Sequence, residues 1–452
     1  LDFPGDLNYP VRRFENIFCT EQDLVVRSYY MPRYNPFKPG TIANPGMFSG
    51  RIEEVLTLER ILFQTKNSNP DHFIIHGERG IGKSSLLFYA QCIARGAFAS
   101  LTCGSFKFLV VHAELSQSNS YLDIIRKVGA ELQRVVASEQ SAKELFKTAW
   151  EFLTRWEVSV GGVGLKYSKE KDNTQAQDLL DELTHTVERT VSDMGTARDG
   201  ILILLDEADK PPHSASLGEF VKVFTERLTK RGCARVAIGL AGLPTLIQKL
   251  KRSHESSPRI FQILTLGPLL PNERIDVIRK GLVEAKDKND FEVSITTEAE
   301  NMIAAFSEGY PQFIQQFAYS AFEADQDNNI TESDFLNGAF KENGAYQQLG
   351  VKYFHELYFD QIGSDEYREV LRAMSNHTDG WVSKEQIRKA ANIKESTLNN
   401  AISALKKRNI IIAKEGKSGS YRLPSHSFAV WIKGYTQSRT AVGLLNTVRT
   451  NP

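Results

Sequence analysis

Two hydrophobic periods alternate along this chain. "MFSGRIEEVLTLERIL" (Met47–Leu62) carries apolar residues at helical spacing. "HFIIH" (His72–His76) is apolar at its centre and too short for a helix, so it predicts a buried strand. Helical spacing resumes from Lys83 to about Ala94. "FKFLVVHAEL" (Phe106–Leu115) predicts a second buried strand, and Tyr121–Val136 and Ala142–Trp156 read as amphipathic helices. "EVSVGGVGLKYS" (Glu157–Ser168) holds two alternating runs around Gly161-Gly162 and predicts a β-hairpin. Asp178–Val191 reads as a helix, Gly200–Lys210 as an apolar strand ending in acids, and Ala234–Pro244 as another strand. Continuous apolar strands alternating with amphipathic helices predict an α/β fold, a parallel sheet covered on both faces.

After about Leu270 the strand pattern stops. Residues 271–345 read as helices, with Thr297–Glu300 as a capping box. Residues 365–433 change again, to three helices (Glu366–Met374, Lys384–Ala391, Glu395–Arg408) and a hairpin, Ile410–Lys414 with Ser420–Leu423 about the tip Glu415–Ser418. Before all this, residues 1–45 hold six of the 16 prolines and predict an extended arm. The expected division is therefore an arm (1–45), an α/β domain (46–270), a helical lid (271–345), a helix-and-hairpin domain (346–435) and a tail (436–452).

Composition narrows the classes. With 41% hydrophobic and 24% charged residues and zero formal net charge, the chain reads as an ordinary globular protein and not as a polybasic nucleic-acid binder, although a zero sum can hide a local patch. The four cysteines, Cys19, Cys92, Cys103 and Cys233, are too far apart in sequence to pair as metal ligands and too few for a disulfide scaffold. Reduced thiols in a cytoplasmic protein are expected. No run approaches a membrane span of about 18 apolar residues, and the first residues lack the apolar core of a signal peptide.

The loop between the first strand and its helix carries the chemistry. "GERGIGKS", Gly77 to Ser84, fits G-x-x-x-x-G-K-[ST]. Backbone N–H groups that wrap a phosphate need residues without side chains, which Gly77, Gly80 and Gly82 supply. Ile81 lies between the last two of these glycines. The helix that follows, opened by Lys83, Ser84 and Ser85, points its positive dipole end at the same anion. Lys83 suits the β- and γ-phosphates and the Ser84 hydroxyl suits Mg²⁺. "ILILLDEAD" brings Asp206 and Glu207 to the carboxyl edge of the sheet, where Asp206 would hold the metal and Glu207 would deprotonate an attacking water. Hydrolysis of a Mg-bound nucleoside triphosphate is the reaction these residues point to, and ATP as that nucleotide is what the resemblance described next implies.

"GERGIGKSS" with "LLDEAD" resembles the AAA+ and STAND branch of P-loop ATPases, and more closely Orc-type initiator ATPases and related prokaryotic ATP-binding proteins. The resemblance covers roughly residues 45–345. It implies a P-loop NTPase sheet with flanking helices, a helical lid and a winged-helix domain. "FSGRIEEVLTL" (Phe48–Leu58) is similar to the segment these families place at the adenine pocket, which puts Arg51 among the nucleotide contacts. Gly309-Tyr310-Pro311 is similar to the G-x-P of STAND switches, with Pro311 near the nucleotide. The place of an arginine finger falls on "SSPRIFQILTLGPL" (Ser256–Leu269), where Arg259 is the candidate and Arg252 the second. A finger implies a homo-oligomer. The chain also departs from the pattern: the strand after the Asp206-Glu207 strand ends in "GLAGLPT", with no polar sensor before Thr245, and the lid's sensor arginine is missing.

Between 384 and 433 the chain has eleven Lys or Arg against three Asp or Glu. That excess suits DNA phosphates, and Thr397, Asn399, Asn400 and Ser403 are short polar side chains a recognition helix could offer to a groove. Winged helices of this kind also pack on the lid or bind protein. Two readings stay open: an ATP-dependent switch that assembles on DNA, and a signalling ATPase acting through a protein effector, in stress or phage defence. A scaffold without activity fits poorly with an intact Lys83, Ser84, Asp206 and Glu207.

Overall fold

The computed structural model describes residues 33–43, 45–139, 142–160, 169–377, 380–408, 410–414 and 419–436. At its centre is a five-stranded parallel sheet in the order β2-β3-β4-β1-β5. The strands are β1 (His72–Gly77), β2 (Phe108–Glu114), β3 (Gly200–Asp206), β4 (Val236–Gly242) and β5 (Phe261–Leu266). All seven residues of β4 are buried, as a strand covered on both faces requires. Gly239 is needed there: a Cβ would lie 2.2 Å from the Phe73 ring. The glycine-rich loop leaves the carboxyl end of β1, and Asp206 closes β3 at the same edge.

The first helices are α1 (Ile52–Lys66), α2 (Lys83–Arg95), α3 (Tyr121–Ala137), α4 (Lys147–Val160) and α5 (Lys169–Met194). They are followed by α6 (Leu217–Lys230) and α7 (Leu246–Ser253). Strand β5 escaped the pattern because, at one edge of the sheet, it leaves Ile263 exposed and its apolar run is interrupted. The helix expected over 142–156 breaks after Leu145 and restarts at Lys147, where the Asp193 carboxylate caps it by accepting the N–H of Thr148 and Ala149, each at 2.8 Å. The hairpin expected at 157–168 is corrected over its first four residues: Glu157–Val160 continue α4. Residues 161–168 lie outside the described residues.

The lid contains α8 (Pro271–Lys288), α9 (Thr297–Phe306), α10 (Pro311–Ala324) and α11 (Glu332–Phe340). The α9 cap is Thr296, one residue earlier than expected, its side chain accepting from Ala299 N–H. The described part of the arm binds the lid. Arg33 pairs with Asp325 at 2.6 Å, Tyr34 N–H donates to Asn289, and Lys38 N–H donates to Gln315.

The winged-helix module has α12 (Asp365–Ser375), α13 (Lys384–Ala391) and α14 (Glu395–Lys407). The short strands Val382–Ser383, Ser420–Arg422 and Ile412–Ala413 form an antiparallel sheet. The first of them was not foreseen, and the tip Glu415–Ser418 lies outside the described residues. A last helix, 426–436, carries Trp431, whose indole N–H donates to the Tyr346 carbonyl at 2.9 Å.

Candidate nucleotide site

Gly80 and Gly82 sit at φ +79° and +99°, a region closed to most side chains, and Gly82 is the N-cap of α2. A Cβ on Gly80 would collide with the Gln312 amide at 2.2 Å, and one on Gly77 would lie 2.8 Å from the Leu266 carbonyl. The glycines therefore answer to packing as well as to backbone shape. Ile81 is buried beneath the loop. The Lys83 ammonium donates to the carbonyls of Gly77 at 3.0 Å and Glu78 at 2.8 Å. Burial lowers its pKa, opposed by the field of Asp209, Glu207 and Asp206.

Lys83, Ser84, Ser85, Asp206 and Glu207 line one cavity of about 330 Å³. Asp206 Oδ1 accepts the Glu207 N–H at 2.7 Å, and Glu207 sits in the left-handed region at φ +53°. Its carboxylate lies 3.4 Å from the Lys210 ammonium.

Part of the cavity wall is apolar. Met47, Phe48, Leu269 and Val277 line it, and the Phe48 ring stacks on Tyr89 at 4.8 Å. Sequence reasoning missed that the arm also forms this wall: Ile42 lines the cavity, and the Ala43 N–H donates to the Ser85 hydroxyl at 3.1 Å. Extended backbone predicted from prolines carries no signal of what it lies against.

Arg51 lies at the cavity but faces the loop's own backbone. It precedes α1 at φ +62°, and its guanidinium donates to the carbonyls of Ile81, at 3.3 Å, and Gly267. Burial lowers its pKa, with Glu54 and Glu273 opposing. Pro311 opens α10 and also lines the cavity. The turn before it is built on Gly309 at φ +82°, where a Cβ would lie 2.5 Å from the Leu269 carbonyl.

Three modules meet at Glu78. The Tyr310 hydroxyl donates to its carboxylate at 2.8 Å, as do the N–H groups of His426 at 3.0 Å and Ser427 at 3.3 Å. Burial and Glu78 push the Tyr310 phenol above its ordinary pKa. The hydrogen bond from His426 holds the Glu308 carboxylate below the usual range.

Arg259 lies outside this cavity, exposed on the turn Ser257–Ile260 that feeds β5. Arg252 is exposed on α7, 3.5 Å from His213. In the winged-helix module, Asn399, Asn400 and Ser403 are exposed on α14 and Thr397 is half-buried. Two of the basic side chains are paired: Lys384 with Glu395 at 3.1 Å and Lys389 with Glu385 at 3.0 Å. Beside the strands, the Trp381 ring has two cations close to it, Lys414 at 5.7 Å and Arg422 at 5.0 Å.

The glycine cradle, the adjacent ammonium and the hard oxygen donors of Ser84 and Asp206 fit a nucleotide with a magnesium ion. Sheet order, loop and cleft define a fold of the P-loop NTPase type with a helical lid and a winged-helix module. No protein-family model matches the chain. An uncharacterised HTH-type transcriptional regulator of Methanocaldococcus jannaschii is 23% identical over 404 residues, which covers 86% of this chain and 90% of the regulator. Among solved structures, the chain is similar to the ORC2 protein of Aeropyrum pernix, at 15% identity and a TM-score of 0.49 over 90% of this chain and 99% of that one. It is also similar to CDC6P of Pyrobaculum aerophilum, at 14% identity and a TM-score of 0.45 over 89% and 97%. Among the described residues no helix is long and apolar enough to cross a membrane.

Proposed function

We propose that the chain binds and hydrolyses Mg-ATP, and that nucleotide state controls its assembly on DNA. The convergence of Lys83, Ser84, Asp206 and Glu207 on one cavity supports this most directly. Lys83 would leave the loop carbonyls for the β- and γ-phosphates, and Ser84 and Asp206 would hold Mg²⁺, which neutralises charge on the phosphates. Glu207 would take a proton from the attacking water. The apolar wall of Met47, Phe48 and Val277 suits a purine ring, and Pro311 would bring the lid against the phosphates. Arg259 would serve a neighbouring subunit's site. The exposed basic and short polar side chains of the winged-helix module, and the HTH-type description of the Methanocaldococcus relative, support the DNA contact.

One observation favours a second reading, a signalling ATPase with a protein effector. The lid turn at Tyr310 and the last helix both bond to the phosphate-loop residue Glu78, a closed arrangement suited to a switch. Particle mass in solution, with ATP or ADP and with or without duplex DNA, separates the two. ATP-driven assembly that DNA enhances and salt weakens supports the first. Assembly indifferent to DNA overturns it in favour of the second. Absence of ATP binding overturns both.

A further inference from the structure

We infer that Lys249, on the helix after the central strand β4, is a positioning residue that holds Glu207 ready for its proton transfer. The inference rests on the hydrolase reading above and adds a residue to it.

Glu207 adopts φ +53°, which a residue with a side chain keeps only where its surroundings impose it. The imposing contacts are on the loop 206–211. At its near end, Ala208 N–H donates to the Ala241 carbonyl at 2.8 Å, so β4 fixes the residue after Glu207. In the middle, Asp209 Oδ1 accepts the Leu243 N–H at 2.8 Å. This approach needs Gly242, because a Cβ there would lie 2.7 Å from that oxygen. At the far end, the carbonyls of Asp209 and Pro211 both accept from the Lys249 ammonium. One cation thus ties two carbonyls of the loop to α7. The end of β4 offers the cleft only Leu243, with no polar side chain before Thr245, so the cleft-side polar contact expected there is absent from "GLAGLPT". Lys249 supplies a polar tie one helical turn later, from behind the loop. It is half-buried and does not line the cavity, so it acts through the loop and not on substrate.

The test compares full-length wild type, Lys249→Met and Lys249→Arg, each with Glu207 and with Glu207→Gln. Lys249→Met keeps the aliphatic stem and removes the donor. It should lower kcat by about tenfold while leaving ATP affinity within about twofold. Lys249→Arg should recover most of the loss, since it restores a cationic donor. In the Glu207→Gln background Lys249→Met should change the residual turnover no further, because the group it positions is already disabled. Amide exchange over 207–210 should accelerate in Lys249→Met while the sheet keeps its protection. Unchanged kcat, parallel loss of affinity and turnover, or an equal loss in the Glu207→Gln background each overturns the inference. If the wild type hydrolyses no ATP, the hydrolase reading fails by itself. Amide exchange then decides the positioning claim, and unaltered exchange in Lys249→Met overturns it.

Discussion

The carboxylate of Glu78 caps the helix that begins at His426, accepting its N–H at 3.0 Å across 348 residues of chain. Glu78 is the second residue of the phosphate loop, and its own carbonyl accepts from Lys83. The residue that bonds Lys83 through its backbone therefore bonds the winged-helix module through its side chain. Glu78→Ala removes the acceptor for Tyr310, His426 and Ser427 together. It should cost about 1–2 kcal/mol and speed amide exchange in the first turn of 426–436. Glu78→Gln keeps one carbonyl acceptor and should cost roughly half as much. Urea unfolding and site-resolved exchange read both. Unchanged protection at His426 and Ser427 in Glu78→Ala would show that the contact carries no energy.

Lys83 and Glu207 should separate binding from turnover. Lys83→Ala removes a half-buried cation that lines the cavity and should abolish measurable nucleotide binding in a fluorescence titration. Glu207→Gln keeps the side-chain volume and removes the base. It should bind ATP as the wild type does and turn over about 10²–10⁴-fold more slowly, the usual range for a positioned acid or base. Normal turnover in Glu207→Gln would sink the assignment of the base.

That the glycine loop, Asp206 and Glu207 meet at one cavity was legible because their spacing and strand context both place them at the carboxyl edge of the sheet. The central strands were legible for a related reason: burial on both faces leaves an unbroken apolar run. Strand β5 was not, because an edge strand mixes exposed and buried positions and its neighbour β1 is distant in sequence. Glu78 carried no signal, since an acidic residue at a variable loop position becomes a cap only when the chain returns with His426. Lys249 was hidden in the same way, as one of two lysines on a short amphipathic helix. Arg51 shows the converse, since it was found by resemblance and lies at the cavity, yet its guanidinium is spent on the carbonyls of Ile81 and Gly267.

His72 sets a pH limit on the fold. It is buried at the start of β1, and Nδ1 accepts the Ile238 N–H at 3.2 Å, so the neutral ring is the one that fits. Burial, opposed by Asp71, lowers its pKa from 6.5 to about 4. Between these values the unfolded chain takes up a proton that the folded chain refuses. Stability is therefore full above about pH 6.5 and falls as pH drops toward 4, by about 3 kcal/mol in all. His72→Asn places an amide oxygen near Nδ1 without titrating there. Its urea midpoint should be flatter than that of the wild type over this window. Equal slopes for the two proteins would show that another group carries the pH dependence.

Arg259 can be tested without a structure of the assembly. It is exposed on the turn leading into β5, outside its own subunit's cavity, so any action on γ-phosphate has to be on a neighbour. Arg259→Ala should then lose turnover by on the order of a thousandfold while still binding ATP. Mixing it with Glu207→Gln supplies the decisive comparison. At interfaces where an Arg259→Ala subunit contributes the intact base and a Glu207→Gln subunit contributes the intact arginine, a complete site forms. The mixture should therefore regain turnover that neither variant shows alone, rising with total protein concentration as subunits assemble. A mixture no more active than the sum of its parts would leave Arg259 as a solvated surface residue and move the search to Arg252.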